Sequence, residues 1–386
     1  MSMTTKETPL SVPVSVKHFA SFDLHCDNAV GVIIDERKKC VLKHRFKNEL
    51  GEILPVLEKY RTTLTGIVVE STYNWYWLVD GLMVRGYKVH LAHTVETGKR
   101  RNKKYSDDFR DAFNLADLLR KGELPEGYIY PKQERPLRDL LRKRGLLVRS
   151  RTQHLLSLMN LVNRQPGIRL KTNDLKSLTP DDLNEMFPDE HVRLSANSNL
   201  AVINVLTLEI DQLEAAILKE AKLKKEFHAL LTVPGIGNII GLSIALEVGD
   251  INRFEKPGKY VSYCRCAPSK WTSNDKEKGA GNRKNGNKYL KWAYIEAANF
   301  TINHCPYAKV YYQRKLRKLH QKARRTIALN AVAAKLARAH YYMLKDGVPY
   351  DAQRLFKSAS ATRKLKIRKI KTNKGCGSKP GRGLDD

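Results

Sequence analysis

The chain has 386 residues, 42% of them hydrophobic, and a formal net charge of +30 from 70 Lys and Arg against 40 Asp and Glu. That apolar fraction excludes a disordered basic tail, and the length predicts two or three domains with cores of their own. The cation excess predicts a polyanionic partner, because side chains that neutralise phosphates release counterions. No apolar run approaches the roughly 20 residues of a membrane-spanning helix.

Residues 1–17 are polar, lack an apolar signal core and read as a flexible leader of a cytoplasmic protein. From 18 to 125 the pattern predicts a mixed α/β layer in the order β-β-β-α-β-α-β-α. Strands are expected at 18–24, 29–35 and 40–46 as an antiparallel meander, then at 66–70 and 88–93. Helices are expected at 49–60, 74–85 and 108–120. Residues 130–228 are expected to be a coiled-coil region. One long helix spans 136–165, with Leu137, Leu141, Val148, Leu155, Leu158 and Val162 on a seam that Arg144 and Arg151 interrupt. A partner helix at 198–228 carries Leu200, Ile203, Leu206, Ile210, Leu213 and Ile217, giving an antiparallel hairpin or an oligomerising coiled coil. Between them, Pro166, Pro180 and Pro188 predict a turn or cap region.

Residues 229–350 are expected to be a mainly helical C-terminal domain. Pro234-Gly235-Ile236-Gly237 reads as the turn of a helix-hairpin-helix element, with Gly235 and Gly237 offering backbone N–H groups to a phosphate. Helices follow at 288–304 and 320–345, and 351–386 is a basic tail. The six cysteines form no zinc-finger spacing and read as reduced thiols.

Four carboxylates carry the chemistry. Asp23 lies on the first strand and Glu70 at the C-terminal end of the fourth; Asp108 and Asp111 share one helix face. Asp107 competes with Asp108, but only Asp108 has the three-residue spacing to Asp111. If the first and fourth strands are neighbours, these acids converge near one end of the sheet. Together they would repel one another unless divalent cations lay between them. Mg²⁺, as two ions, suits such an oxygen cluster acting on a phosphodiester. The basic loop with Lys99, Arg100, Arg101, Lys103 and Lys104 leads into these acids and is expected to face phosphate.

The acid placement resembles ribonuclease H-like, RuvC-like nucleases, and the second half narrows the resemblance to transposases of the insertion sequence one-ten family, the bridge-RNA-guided DEDD recombinases. It covers roughly residues 18–345. It rests on Phe22-Asp23, Val68-Val69-Glu70-Ser71-Thr72 and Asp108-Phe109-Arg110-Asp111-Ala112, then on Pro234-Gly235-Ile236-Gly237, Gly249-Asp250-Ile251-Asn252-Arg253-Phe254, Tyr263 with Pro268, Thr272-Ser273, and the stretch from Gly281 to Asn287. The resemblance implies an α/β ribonuclease H-like domain and a C-terminal transposase domain whose serine, here Ser273, attacks DNA and becomes covalently linked to it. It further implies a structured guide RNA, donor and target DNA, a homo-oligomer and a nucleoid-associated location. Arg283, Lys284 and Asn287 would hold phosphates near the serine. The chain departs from the family pattern in having Arg265-Cys266 where Gly-Leu is common, and Asn274 rather than glycine after the serine. Thr272 and Ser269 therefore stand as alternative nucleophiles. Two other readings remain: a Holliday-junction resolvase-like endonuclease, and a basic nucleic-acid-binding protein without catalysis.

Overall fold

A computed structural model of the chain describes residues 16–94, 97, 107–221, 225–269, 271–279, 285–320 and 323–356. The chain divides into two compact units between Lys132 and Gln133.

In the N-terminal unit, β1 (His18–Leu24), β2 (Asn28–Asp35) and β3 (Cys40–Lys47) form an antiparallel meander. Helix α1 (Leu50–Glu58) leads to β4 (Leu64–Glu70), and α2 (Tyr76–Val84) to β5 (Val89–Ala92). The sheet order is β3-β2-β1-β4-β5, with β4 parallel to both β1 and β5. The expected neighbourhood of the first and fourth strands is thus present, and β1 is a central strand.

A central strand covered on both faces reads as a nearly continuous apolar run, and period-2 geometry sorts its side chains. Ala20, Phe22, Ile33, Ile67 and Val69 pack with Ile53 of α1 and Leu78, Val79 and Leu82 of α2. The alternate positions Phe19, Val30, Val32 and Ile34 face Ala112 and Ala116 of α3 (Asp108–Arg120). Buried Ser21 donates from its hydroxyl to the Ala112 carbonyl at 2.6 Å, tying α3 to β1. Asp23 is in step with Phe19 and Ser21, and Glu70 is in step with Val68, which packs on Leu115 of α3. Both acids therefore stand on the α3 face.

In the C-terminal unit, α4 (Arg135–Arg164) has 30 residues. Helix α7 (Glu190–Ala221) has 32. They pair antiparallel within the chain, as the contacts His154–Asn199, Arg151–Thr207 and Arg144–Glu214 descend one helix while climbing the other. Of the two arrangements the seam allowed, this is the hairpin. Leu155, Leu158 and Val162 are buried against Leu200 and Ile203, and Leu141 against Ile217. The arginines that interrupt the seam are partnered across it: Arg144 Nε donates to Glu214 at 2.8 Å and Arg151 to the Thr207 hydroxyl at 3.2 Å.

Two expectations are corrected here. The second long helix begins at Glu190 rather than at 198, just after Asp189 accepts the Val192 N–H, and α8 (Lys225–Leu231) covers the expected end at 228. The proline-containing segment is not only a turn. It holds α5 (Thr172–Ser177), whose Asp174 carboxylate accepts the Lys171 N–H at 2.9 Å, and α6 (Pro180–Met186), started by a reciprocal cap at Thr179/Asp182. Leu175, Leu183 and Phe187 pack at the connecting end of the hairpin, with Leu158, Val162 and Leu200.

Beyond it lie α9 (Asn238–Val248) and α10 (Pro257–Tyr263), then a hairpin of β6 (Trp271–Ser273) and β7 (Lys276–Gly279). Helices α11 (Lys288–His304), α12 (Pro306–Arg317), α13 (Arg324–Asp346) and α14 (Ala352–Phe356) complete the unit. Their core gathers Ile244, Tyr260, Leu290, Tyr294, Val332 and Leu336, with Cys264 and Cys266 buried among them as small apolar side chains. Burial pushes the Cys266 thiol up to about 11.

Candidate active site

The N-terminal site is built by register. Phe22 pairs with Val69 across the parallel β1–β4 ladder, so Asp23 and Glu70 follow side by side at the C-terminal strand ends. Both are largely buried, at 8% and 9% exposure. The start of α3 is laid over them. Asp107 is the N-cap, its carboxylate accepting the Arg110 N–H at 2.8 Å, which leaves Asp108 to face the strands. Asp111 lies one turn further along α3, half-buried.

Among the described residues, Asp23, His25 and Asp108 form one group whose ligand atoms all lie within 4.8 Å of one another. His25 Nε2 is 3.9 Å from Asp23 Oδ2 and 3.4 Å from Asp108 Oδ2. Arg45 of β3 donates to Asp108 at 2.8 Å and to Asn28 Oδ1 at 2.6 Å. Hydrogen bonding from Arg45 is the main cause that holds the Asp108 carboxyl below its usual range; burial opposes it, and the electrostatic influence of His25 and Arg45 adds to the lowering. Asp108 is thus an anion beside the Arg45 guanidinium and the His25 imidazole. An open cleft of about 560 Å³ runs over these groups, lined by His25, Asn28, Arg45, Thr72, Tyr73 and Asp108.

The carboxylate oxygens of Asp23 and Asp108 fit a hard divalent cation, which takes oxygen ligands. An exposed pair such as Arg45–Asp108 contributes only about 0–1 kcal/mol, so a cation can displace it at small cost. His25 and Arg45 are functional neighbours that sequence reading did not single out. The available signal was weak: His25 follows Asp23 by two positions, and Arg45 sits opposite Val30 in the β2–β3 ladder.

In the C-terminal unit, Ser273 ends β6 and is exposed, opposite Lys276 in the ladder. Its hydroxyl has no hydrogen bond among the described residues. Thr272, also exposed, pairs with Glu277, and Ser269 is half-buried in the preceding loop. The two residues closing the hairpin, Asn274 and Asp275, have φ of 51° and 58°, as a two-residue turn of the I′ type requires. Arg265 likewise has φ 54° and is held by its Nε donating to the Gly286 carbonyl at 2.9 Å. Both departures from the family pattern, Arg265 and Asn274, thus stand at left-handed positions where glycine would be unstrained.

Two residues expected at phosphates have other work. Asn287 is the N-cap of α11: its Oδ1 accepts the N–H groups of Tyr289 and Leu290. Its Nδ2 donates to Glu247 Oε2 at 2.8 Å, and Glu247 in turn takes Arg142 of α4 through two bonds at 2.6 and 2.8 Å. Arg142 also stacks over Tyr289 at 4.4 Å. Asn287 therefore joins α4, α9 and α11, with both ends of its amide engaged inside the unit. Gly235 is required by packing: at φ 91°, a Cβ there would come within 2.5 Å of Thr301 N and 2.7 Å of the Phe300 carbonyl carbon. Gly237, by contrast, is the exposed N-cap of α9 with open space around it. The turn from α8 to α9 is present. Lys99, Arg100, Arg101, Lys103, Lys104, Arg283 and Lys284 lie outside the described residues, as does the tail after Phe356.

Comparison with known proteins gives two family matches in chain order. A DEDD-type transposase model of the IS110 class matches residues 20–164. The Transposase IS116/IS110/IS902 family matches residues 227–313. The transposase for insertion sequence element IS1111A of Coxiella burnetii is 24% identical over 60% of this chain and 63% of its own length. A putative transposase of Sinorhizobium fredii is 28% identical over 49% of this chain and 46% of its own. An insertion element IS110 protein of Streptomyces coelicolor, otherwise uncharacterised, is 29% identical over 32% of this chain and 30% of its own. The chain thus matches less than two thirds of the length of each of these relatives. The two family matches bracket the acid cluster and the serine hairpin and together take in more than half of the residues, and by them the chain belongs to the IS110 family of transposases.

Proposed function

We propose that the protein is a DNA recombinase of an insertion sequence, guided by a structured RNA, that cuts and rejoins DNA through a serine–DNA intermediate. The observation that carries this reading is the register that sets Asp23 beside Glu70 at one end of the sheet, with Asp108 close to Asp23 and an open cleft lined by Asp108 and His25. The sheet order, with β1 beside β4, supports a ribonuclease H-like, RuvC-like core. Asp23, Glu70, Asp108 and Asp111 would hold divalent cations, Mg²⁺ as two ions, which supply stabilisation of charge on the reacting phosphodiester.

The chain's own residues do the rest. The Ser273 oxygen forms the new bond to phosphorus while the bond from phosphorus to a deoxyribose oxygen breaks. The serine proton departs, and the leaving oxygen takes one up. A DNA hydroxyl then displaces the serine, so that the phosphoester energy is kept and no nucleotide triphosphate is needed; the sequence has no Gly-x-x-x-x-Gly-Lys-Ser/Thr loop. Lys276, the partner of Ser273 in the β6–β7 ladder, would face a phosphate there. Gly237, Arg283, Lys284 and the basic loop from Lys99 to Lys104 would hold the nucleic acid backbone. Donor and target DNA, the guide RNA and a second copy of the chain are the expected partners, in a cytoplasmic, nucleoid-associated setting.

A second reading, hydrolysis by activated water as in junction resolvases, is favoured by one observation: no described base is hydrogen-bonded to Ser273. The deciding experiment is a plasmid recombination assay with the guide RNA and divalent metal, resolved on denaturing gels. A protein–DNA adduct supports the serine mechanism, and free ends without adduct support hydrolysis.

A further inference from the structure

The C-terminal unit carries a second concentration of charge. Lys335 and Arg338 of α13 and Arg354 of α14 line a cleft of about 450 Å³. The Lys335 ammonium lies 5.2 Å from the centre of the Tyr311 ring and 5.9 Å from that of Phe356. Arg314 and Lys315 of α12 approach the same Tyr311 ring, at 5.4 and 5.8 Å. Three cations therefore crowd one aromatic ring. Attraction to the ring holds each of them in place, but it does not cancel their mutual repulsion.

Among the described residues none of these five cations is ion-paired with a carboxylate. Asp346 and Asp351 also line the cleft, but Asp351 is committed as a cap, accepting the Arg354 N–H at 2.9 Å. Lys335 is half-buried, and burial lowers its pKa, with the charges of Arg338, Arg314 and Lys315 lowering it further. Elsewhere the chain answers comparable charge with carboxylates, as Glu247 does for Arg142 and Asp117 for Lys38, Arg120 and Lys121. Here, among the described residues, no carboxylate is ion-paired with the cations, and Asp346 stands on the cleft wall without reaching them.

We infer that this cleft and the adjoining face of α12 form a binding site for the backbone phosphates of nucleic acid, separate from the acid cluster and independent of base sequence. Five cations from three helices span more than one phosphate group, which favours a polymer over a single small anion. The sequence continues beyond Phe356 with Lys357, Arg363, Lys364, Lys366, Arg368 and Lys369, so the same charge extends along the chain. The inference rests on the reading of the protein as a nucleic-acid enzyme, and the test separates the two.

The test uses the full chain with Arg314→Ala, Lys315→Ala and Arg338→Ala combined. Lys335 is left intact because its ammonium donates to the Leu355 carbonyl and supports α14. Anisotropy of labelled duplex DNA and of a labelled RNA hairpin is measured across a salt series. On duplex DNA, each lost phosphate contact should reduce the slope of log K against log salt by about 0.9, so the variant should lose about 2–3 in slope and about tenfold or more in affinity. Loss on one polymer only identifies that polymer as the occupant and supports the site. A single Arg338→Glu variant, at an exposed position, should weaken binding in the same direction should the triple variant fold poorly. Wild-type slope and affinity on both polymers in a folded variant would overturn the inference. Salt-independent binding by the wild-type chain would instead overturn the nucleic-acid reading on which it rests.

Discussion

The two units place their candidate chemistry in opposite ways. Asp23 and Glu70 sit at the ends of adjacent central strands, fixed by a ladder of five residue pairs and buried under α3. Ser273 ends a three-residue strand, exposed, one residue from two left-handed turn positions. An acid held by sheet register is preorganised before any substrate arrives. A hydroxyl at the tip of a short hairpin needs substrate to define its surroundings. The acid side should therefore tolerate substitution least in chemistry, and the serine side should depend most on what is bound.

The sharpest way to break that contrast is at Asp23. Asp23→Ala or Glu70→Ala should reduce strand exchange by about 10²–10³-fold or more, while nucleic acid binding survives. Recombination assays on a plasmid substrate, with binding measured in parallel, check both halves of the expectation. A variant that recombines at the wild-type rate would remove the metal-site reading.

The next effect concerns stability of the C-terminal unit. Glu247→Ala should leave the half-buried Arg142 with only the distant Asp139 carboxylate, at 3.9 Å, and release the Asn287 amide. Breaking such a pair costs about 3–5 kcal/mol, read as a lower urea midpoint for the unit. Asn287→Ala removes only the cap and one bond to Glu247, so its loss should be smaller, about 1–2 kcal/mol. If both variants unfold with the wild type, α4, α9 and α11 are not joined by this network.

A pH experiment sharpens the contrast from the other unit. Burial works to raise the Asp117 pKa, but hydrogen bonds from Lys121, Arg120 and Lys38 outweigh it and bring the carboxyl from 3.8 to about 2. A depressed folded-state pKa contributes stability above the unfolded value and loses it as pH falls through the folded one. Asp117→Asn should therefore lower stability by about 1–2 kcal/mol at pH 5–7, allowing for its partly exposed partners, with the difference vanishing near pH 2. Thermal melts of wild type and variant across that range check it.

What could be read from the sequence follows the same division. Strand alternation is a strong signal, so β1, β2 and β4 and the common face of Asp23 and Glu70 were legible from residue spacing alone. The seam of α4 and α7 was legible for the same reason, although its start was not, because the Asp189 cap lies beyond the apolar repeat. The capping role of Asn287 and the close packing at Gly235 were not legible, because caps and close packing use the residue types that phosphate sites use. His25 and Arg45 were missed because their approach to Asp108 depends on the loop after β1 and on β3, which no local period encodes. Arg265 and Asn274 read as losses of family glycines, whereas backbone angles show that the left-handed turns were kept with other residues.

The central claim is that acids in one unit and a serine in the other serve one reaction. Its most direct test traps the intermediate on a nicked DNA substrate with guide RNA and divalent metal, then maps any covalently bound peptide by mass spectrometry. The account predicts a metal-dependent adduct on Ser273, absent in Ser273→Ala and strongly reduced in Asp23→Ala. Cleaved DNA with free ends and no adduct, or an adduct that forms undiminished in Asp23→Ala, would contradict it.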